Sequence, residues 1–176
     1  MELSAKGAAF IGAFEGFRAE CYDDAAGNCT IGYGHLIHAG PTTTADRAKW
    51  GTISRAAAAR LLQADAANAA AAVRDHVHVP LRQAQFDALV SLAYNCGGGV
   101  MAGVAIAINA RPRYLFPRPT QEALAAWRAK VRSTLLAYCH AGGVELPGLL
   151  RRRNAEFVLF DTGHYTRAAG NRYANS

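Results

Sequence analysis

An alanine-rich run at residues 54–77 occupies the middle of the chain and favours a helical architecture. Ser54 can cap this run, which continues through alanines, leucines and arginines to about Val77 and must end before Pro80. Alanine has the highest helix propensity of all residues, and 38 of the 176 residues are alanine. The sequence therefore predicts one long helix within a fold of closely packed helices.

The spacing of apolar residues predicts five further helices, and one segment breaks that spacing. The approximate ranges of these helices are 4–16, 86–96, 100–110, 120–138 and 147–160. Between the first helix and the long one, Cys21 to His35 loses the helical period and carries several turn residues. This segment predicts a β-hairpin followed by a tight loop, and a polar loop follows at residues 41–44.

The charge of the chain favours acidic polymers as partners. Its 19 basic and 13 acidic residues give a net charge of +6 and a pI near 9.4. Such a surface attracts nucleic acid, anionic lipid or the acidic polymers of a bacterial envelope. No apolar stretch reaches the roughly 18 residues that span a bilayer, so we expect no membrane span. The N-terminus also lacks the basic start, apolar run and cleavage site of a signal peptide.

Glu15 occupies an unusual place for an acid, in the last turn of the first helix and beside the apolar Phe14. Desolvation and the negative end of the helix dipole both favour the protonated carboxyl there, which is the form that a general acid needs. The simpler interpretation of Glu15 alone is an exposed residue paired with Arg18. Asp24 and Thr30 follow in the predicted hairpin, where aspartate is also an ordinary turn residue and threonine an ordinary strand residue.

The spacing of these three residues carries more information than any of them alone. Eight residues separate Glu15 from Asp24, five separate Asp24 from Thr30, and the run Thr30-Ile31-Gly32-Tyr33-Gly34-His35 follows. This pattern resembles the active-site segment of phage-type lysozymes, the endolysins of glycoside hydrolase family 24. The resemblance implies that Glu15, Asp24 and Thr30 are catalytic.

The resemblance covers the chain from about Ser4 to Gly163 and implies further site residues. These are a supporting His35–Asp65 pair, the buried cation Arg152 beside Glu15 with Arg151 as the alternative, and the substrate-binding residues Leu36, Tyr94 and Asn95. It also implies a mainly α (α+β), lysozyme-like fold. A small hairpin-bearing lobe (about 1–55) is joined by the long helix (54–77) to an all-helical lobe (about 80–160). Residues 1–160 would form one catalytic domain, followed by a polar tail at 161–176.

The implied function is hydrolysis of the β-1,4 bond between N-acetylmuramic acid and N-acetylglucosamine in bacterial peptidoglycan, for host lysis. Glu15 would protonate the leaving oxygen, while Asp24 and Thr30 would hold a water molecule on the opposite sugar face, giving inversion. The expected partner is peptidoglycan, with no nucleic acid and no membrane span, and the expected state is a monomer. Such an enzyme would be made in the host cytoplasm and would reach the cell wall in the periplasm after release.

Two other functions stay open at this point. A lytic transglycosylase would cleave the same bond with Glu15 alone, but Asp24 and Thr30 would then have no role. A non-catalytic module that binds the cell wall or nucleic acid would explain the positive charge but not the three-residue pattern. The basic run Arg151-Arg152-Arg153 could contact phosphates, but consecutive helical residues point about 100° apart, so at most one or two share a face. A solvated basic face is therefore expected there.

The four cysteines form two candidate disulfides. Cys21 and Cys29 lie on opposite arms of the predicted hairpin, and the resemblance places Cys96 and Cys139 in helical segments that pack together. Free thiols are the alternative for all four, because cysteine is often a small buried hydrophobic residue.

Neither a metal nor another cofactor is expected. Cys21, Cys29, His35 and His38 include the residue types that bind zinc, but seven residues separate the two cysteines, which exceeds the usual spacing of about two to four. Residues 32–34 lack the third glycine of a dinucleotide-binding fingerprint.

Overall fold

The computed structural model describes residues 1–24, 26–112 and 118–166. They separate into two compact units: Leu3–Ala67 forms one, and Met1–Glu2 together with the chain from Asn68 onward forms the other. None of the helices in these residues is long and apolar enough to cross a membrane. The end of the predicted polar tail, residues 167–176, lies outside the described part of the chain.

The described part of the unit Leu3–Ala67 combines helices with a small antiparallel sheet. Its elements are α1 (Ala5–Glu15), β1 (Arg18–Asp23), β2 (Cys29–Gly32), β3 (His35–His38), α2 (Thr44–Trp50) and α3 (Arg55–Asp65). The strand order is β1-β2-β3, and both pairs are antiparallel. Ser4, Thr43 and Ser54 each accept a backbone N–H with the side-chain hydroxyl, and so begin α1, α2 and α3.

The middle strand β2 is buried along its whole length. Its register places Thr30 opposite Tyr22 on β1 and Cys29 opposite His38 on β3. Gly32, at the end of β2, has a φ of 70°, and a Cβ added there would lie 3.0 Å from the Cβ of Ala58 on α3. Glycine at this position therefore lets the sheet pack closely on α3.

The second unit is helical and has its core around one buried helix. Its elements are α4 (Ala67–His76), α5 (Gln83–Cys96), a 3₁₀ turn (Gly98–Val100), α6 (Met101–Asn109), α7 (Gln121–Leu136), β4 (His140–Ala141), β5 (Val144–Glu145) and α8 (Pro147–Thr162). Helix α5 is buried continuously over residues 85–93. Helix α8 packs against both α5 and α7, so the apolar surfaces of three helices meet there.

The structure confirms the predicted fold class, a mainly helical chain with a small antiparallel sheet. The predicted single helix over residues 54–77 is wrong, because it is interrupted at Ala66. The chain turns at Ala66, whose N–H donates to the carbonyl groups of Leu62 and Ala64, and α4 begins at Ala67. Residue type does not signal this break, since neither glycine nor proline occurs there.

Three short elements were missing from the sequence prediction: strand β3, helix α2 and the β4–β5 ribbon. Helix α2 begins inside the predicted polar loop. A capping box marks its start, because Thr43 and Asp46 each accept the other's backbone N–H. The sequence Thr43-Thr44-Ala45-Asp46 was the signal that could have predicted this helix.

Candidate functional site

Asp24 follows β1 directly and is held by the backbone of its own turn. Its Oδ1 accepts the N–H groups of Ala26 and Asn28 at 2.8 and 2.9 Å. These bonds, with that from Asn28 contributing most, hold the pKa of the Asp24 carboxyl below its ordinary value. Asp24 is therefore a carboxylate at neutral pH, oriented by the peptide backbone.

Thr30 lies beside Asp24 and is only 2% exposed. Its hydroxyl donates to the carbonyl oxygen of Asn28 at 3.1 Å. The same side chain is also a hydrogen-bond partner that lowers the pKa of the Asp24 carboxyl. The hydroxyl has one hydrogen, so it serves one of these acceptors at a time and keeps lone pairs that can accept from a third group.

Glu15 is the last residue of α1, and Tyr22 links it to Asp24. Burial raises the pKa of the Tyr22 phenol, Arg18 lowers it, and the carboxylates of Asp24 and Glu15 raise it further. Both carboxylates therefore lie close enough to the Tyr22 phenol to affect its pKa. Tyr22 pairs with Thr30 across the sheet. The Glu15 side chain is exposed, so the burial expected from its sequence position is not present within this unit.

His35 and Asp65 form the predicted pair. The Nδ1 atom of His35 lies 3.0 Å from both carboxylate oxygens of Asp65, and both side chains are about three-quarters buried. The His35 ring also packs at an angle against Trp50, with 5.8 Å between the ring centroids. The pair ties β3 to the end of α3.

The three predicted substrate-binding residues divide between the two units. Leu36 on β3 is 55% exposed, which is high for a leucine in a sheet. Tyr94 is half-buried and Asn95 is exposed, both in the last turn of α5, and Asn95 Oδ1 accepts from Arg153 at 2.8 Å. Their contacts with substrate stay predictions.

The predicted solvated basic face at residues 151–153 is wrong for two of its three arginines. Arg152 is buried, Arg153 is 0% exposed, and only Arg151 is exposed. The burial expected for Arg152 is therefore present, whereas its place beside Glu15 stays a prediction. Arg153 is a residue whose importance the sequence reasoning missed.

Glu156 explains the burial of these two arginines. Its carboxylate lies 3.2 Å from Arg152 Nε and 3.0 Å from Arg153 Nε, and it accepts from the hydroxyl of Ser91 at 2.6 Å. Burial raises the pKa of Glu156, while the two guanidinium groups and Ser91 oppose that rise. The spacing of three and four residues from Arg153 and Arg152 to Glu156 was the signal for these helical ion pairs.

All four cysteines are free thiols, so neither candidate disulfide is formed. Cys96 Sγ lies 2.9 Å from Arg153 Nη1, whereas Cys139 Sγ faces His140 and Glu145 at 3.4 and 3.6 Å. These two thiols are directed to different partners rather than to each other.

Among the residues that the structure describes, two groups of side chains could hold a metal ion. Cys29, His38 and Asp46 form one group, and Cys139, His140 and Glu145 form the other. The first group differs from the ligand set considered from the sequence, because His35 pairs with Asp65 and the structure brings in Asp46 instead.

A mainly helical chain with a small three-stranded antiparallel sheet has the fold of a lysozyme-like glycoside hydrolase. The family model for phage lysozyme matches residues 12–156. The chain belongs to the phage lysozyme family and is a peptidoglycan-hydrolysing enzyme.

Individual relatives agree with this assignment. An endolysin from Acyrthosiphon pisum secondary endosymbiont phage 1 is 30% identical over 166 residues, covering 92% of this chain and 99% of the relative. The solved endolysin from Escherichia coli O157:H7 phage FAHEc1 superposes with a TM-score of 0.71 at 30% identity, covering 94% of this chain and 97% of that one. The muramidase domain of SpmX from Asticaccaulis excentricus superposes with a TM-score of 0.67 at 27% identity, covering 92% of this chain and 98% of that one.

Proposed function

We propose that the chain is an N-acetylmuramidase, and that Glu15, Asp24 and Thr30 cleave the β-1,4 bond between N-acetylmuramic acid and N-acetylglucosamine. The observation that carries this proposal is the backbone-held Asp24 carboxylate beside the buried hydroxyl of Thr30. Glycoside hydrolysis needs one carboxyl group that donates a proton and a second group that activates or positions water. Glu15 supplies the first function, and Asp24 with Thr30 supplies the second.

The hydrogen bonds of Asp24 suit it to hold a water molecule. Both backbone donors end on Oδ1, and the carboxylate has further lone pairs that can accept from water. The Thr30 oxygen offers a second acceptor, because its hydrogen is directed to a neighbouring oxygen. A water bound by these two oxygens keeps a lone pair for attack on the anomeric carbon.

Such a water attacks the sugar face opposite the leaving oxygen, while Glu15 protonates that oxygen. The reaction then proceeds by a single displacement and inverts the anomeric configuration. The protein acts as a monomer on peptidoglycan and needs no cofactor for this step. It serves host lysis, reaching the periplasmic cell wall after synthesis in the host cytoplasm.

The experiment is digestion of purified peptidoglycan, followed by mass spectrometry of the fragments and immediate NMR of the new anomeric centre. We expect fragments with a reducing-end N-acetylmuramic acid, released first as the α anomer. Anhydro-muropeptides would identify a lytic transglycosylase instead, and release of the β anomer would contradict inversion. The Glu15→Gln variant is the control for contaminating hydrolases.

A further inference from the structure

A mixed group of sulfur, nitrogen and oxygen ligands lies at one end of the small sheet, where β2, β3 and α2 meet. Cys29, His38 and Asp46 each offer one ligand atom, and these three atoms lie within 4.8 Å of one another. The register of the sheet places Cys29 opposite His38, and Asp46 is the third residue of α2. Residues from three separate elements therefore converge on one point.

A fourth candidate ligand, a second thiol, borders this group. Cys21 on β1 is buried in the same small core as Cys29, and its Sγ lies 3.9 Å from the backbone carbonyl oxygen of Asp46. With Cys21 beside the group of three, two sulfurs, one imidazole and one carboxylate are available in this part of the unit.

Each ring nitrogen of His38 faces an oxygen atom. Its Nδ1 lies 2.9 Å from the carbonyl oxygen of Ala39, which can only accept, so Nδ1 carries a hydrogen. Its Nε2 lies 3.0 Å from Asp46 Oδ2. An imidazolium would donate from Nε2 to this oxygen, and a metal ion bound between the two atoms would take the place of that proton.

Both side chains are oriented by hydrogen bonds in addition to the contact between them. Histidine ligands donate their second ring N–H to a carbonyl or carboxylate, as His38 does to Ala39. Asp46 Oδ2 accepts from the backbone N–H of Thr43 at 2.9 Å and from its hydroxyl at 2.6 Å. The orientation of the two ligands is therefore set before any ion binds.

We propose that Cys21, Cys29, His38 and Asp46 form a structural zinc site. Thiolate and imidazole ligands select zinc over magnesium and calcium, which prefer oxygen ligands. Four protein ligands complete the tetrahedral shell of a structural rather than a catalytic zinc ion. The ion would fasten β1, β2, β3 and α2 together, directly beside the strand residue Thr30.

The first test is titration of the reduced, metal-free full-length chain with Co²⁺, which reports zinc-type sites by its colour. We expect binding of one ion per chain, with a thiolate-to-cobalt charge-transfer band and the visible bands of tetrahedral cobalt. Displacement by Zn²⁺ should bleach the bands, and Zn²⁺ should raise the thermal midpoint of unfolding while a chelator lowers it. No band in protein with four titratable thiols would overturn the proposal and leave His38 as an imidazolium.

Variants then locate the ion. His38→Ala should abolish the cobalt bands, and its side chain is 39% exposed, so the fold should tolerate the change. His78→Ala is the matched control, because His78 is exposed and lies in the other unit. Cys21→Ser should lower the charge-transfer intensity by about half, since that intensity follows the number of thiolates.

The second group of ligand types provides the competing outcome. Cys139 directly precedes the short β4–β5 ribbon, which carries the exposed residues His140 and Glu145. Cys139→Ser should leave the cobalt bands unchanged. The proposed site would be overturned if the cobalt bands disappeared in Cys139→Ser. A Cys21–Cys29 disulfide in protein isolated from a reducing cytoplasm would also overturn it.

Discussion

The two units hold their charged side chains in opposite ways. In Leu3–Ala67, the Asp24 carboxylate is held by backbone N–H groups of its own turn and remains half-exposed. In the helical unit, Glu156 and Arg153 are completely buried and form an ion pair, with Ser91, Asn95 and Cys96 around them. The first carboxylate can still bind water, whereas the second is enclosed by the protein.

This difference separates catalysis from stability. A carboxylate fixed by backbone donors keeps a free oxygen for chemistry and contributes little to the core. A buried ion pair has no access to substrate, but removing one partner leaves an uncompensated charge in a region of low dielectric constant. We therefore expect substitutions in the first group to change turnover, and substitutions in the second to change the free energy of unfolding.

The largest effect is expected for Glu15→Gln. The amide keeps the size of the side chain but cannot donate an acidic proton, so turnover of peptidoglycan should fall by about 10²- to 10⁴-fold. Because Glu15 is exposed, the thermal midpoint of unfolding should stay close to that of the wild type. Turbidity clearing of cell walls measures the loss, and near-wild-type clearing would refute the role of Glu15.

Arg153→Met should have the largest effect on stability. It leaves Glu156 buried with one partner fewer, so the free energy of unfolding should fall by about 3–5 kcal/mol in urea denaturation. Arg151→Met is the matched control, and as an exposed substitution it should change stability by less than about 0.5 kcal/mol. Equal losses in the two variants would show that burial of Arg153 has no energetic consequence.

Thr30→Ala and Thr30→Ser test whether the hydroxyl positions water. The alanine variant should lose roughly 10²-fold in turnover, at the low end of the range for proton-transfer groups, because one water ligand is removed. The serine variant keeps the hydroxyl and should retain most of the activity. Full activity of Thr30→Ala, measured by release of reducing ends, would remove Thr30 from the mechanism.

The smallest expected effect is the pH-dependent contribution of the Asp24 carboxylate to the stability of the fold. Its folded-state pKa lies below the unfolded value of about 3.9, so the ionised carboxylate stabilises the fold above that pH. This contribution is lost as pH falls through the folded-state pKa. Asp24→Asn should therefore unfold at a lower temperature than the wild type at neutral pH, and the two midpoints should converge in acid. A constant difference across that range would contradict an electrostatic origin.

Features set by neighbouring residues were predictable from the sequence. Ser54 caps α3 as predicted, and Ser4 and Thr120, the first residues of the predicted ranges 4–16 and 120–138, cap α1 and α7. A capping hydroxyl needs only a backbone N–H three residues away. Asp24 and Thr30 likewise lie close together in the structure, since only a short turn between two paired strands separates them. The His35–Asp65 contact came from family resemblance rather than from local physics.

Features that depend on which distant segments meet were decided by tertiary structure. The sequence places three arginines in a row at 151–153, but burial against α5 and the charge of Glu156 determine which two of them leave solvent. Asp46 joins the cysteines of the sheet only because α2 folds back beside β2 and β3. Capping and helical periodicity act within a few residues, whereas charge burial and ligand convergence require contacts between segments far apart in the chain.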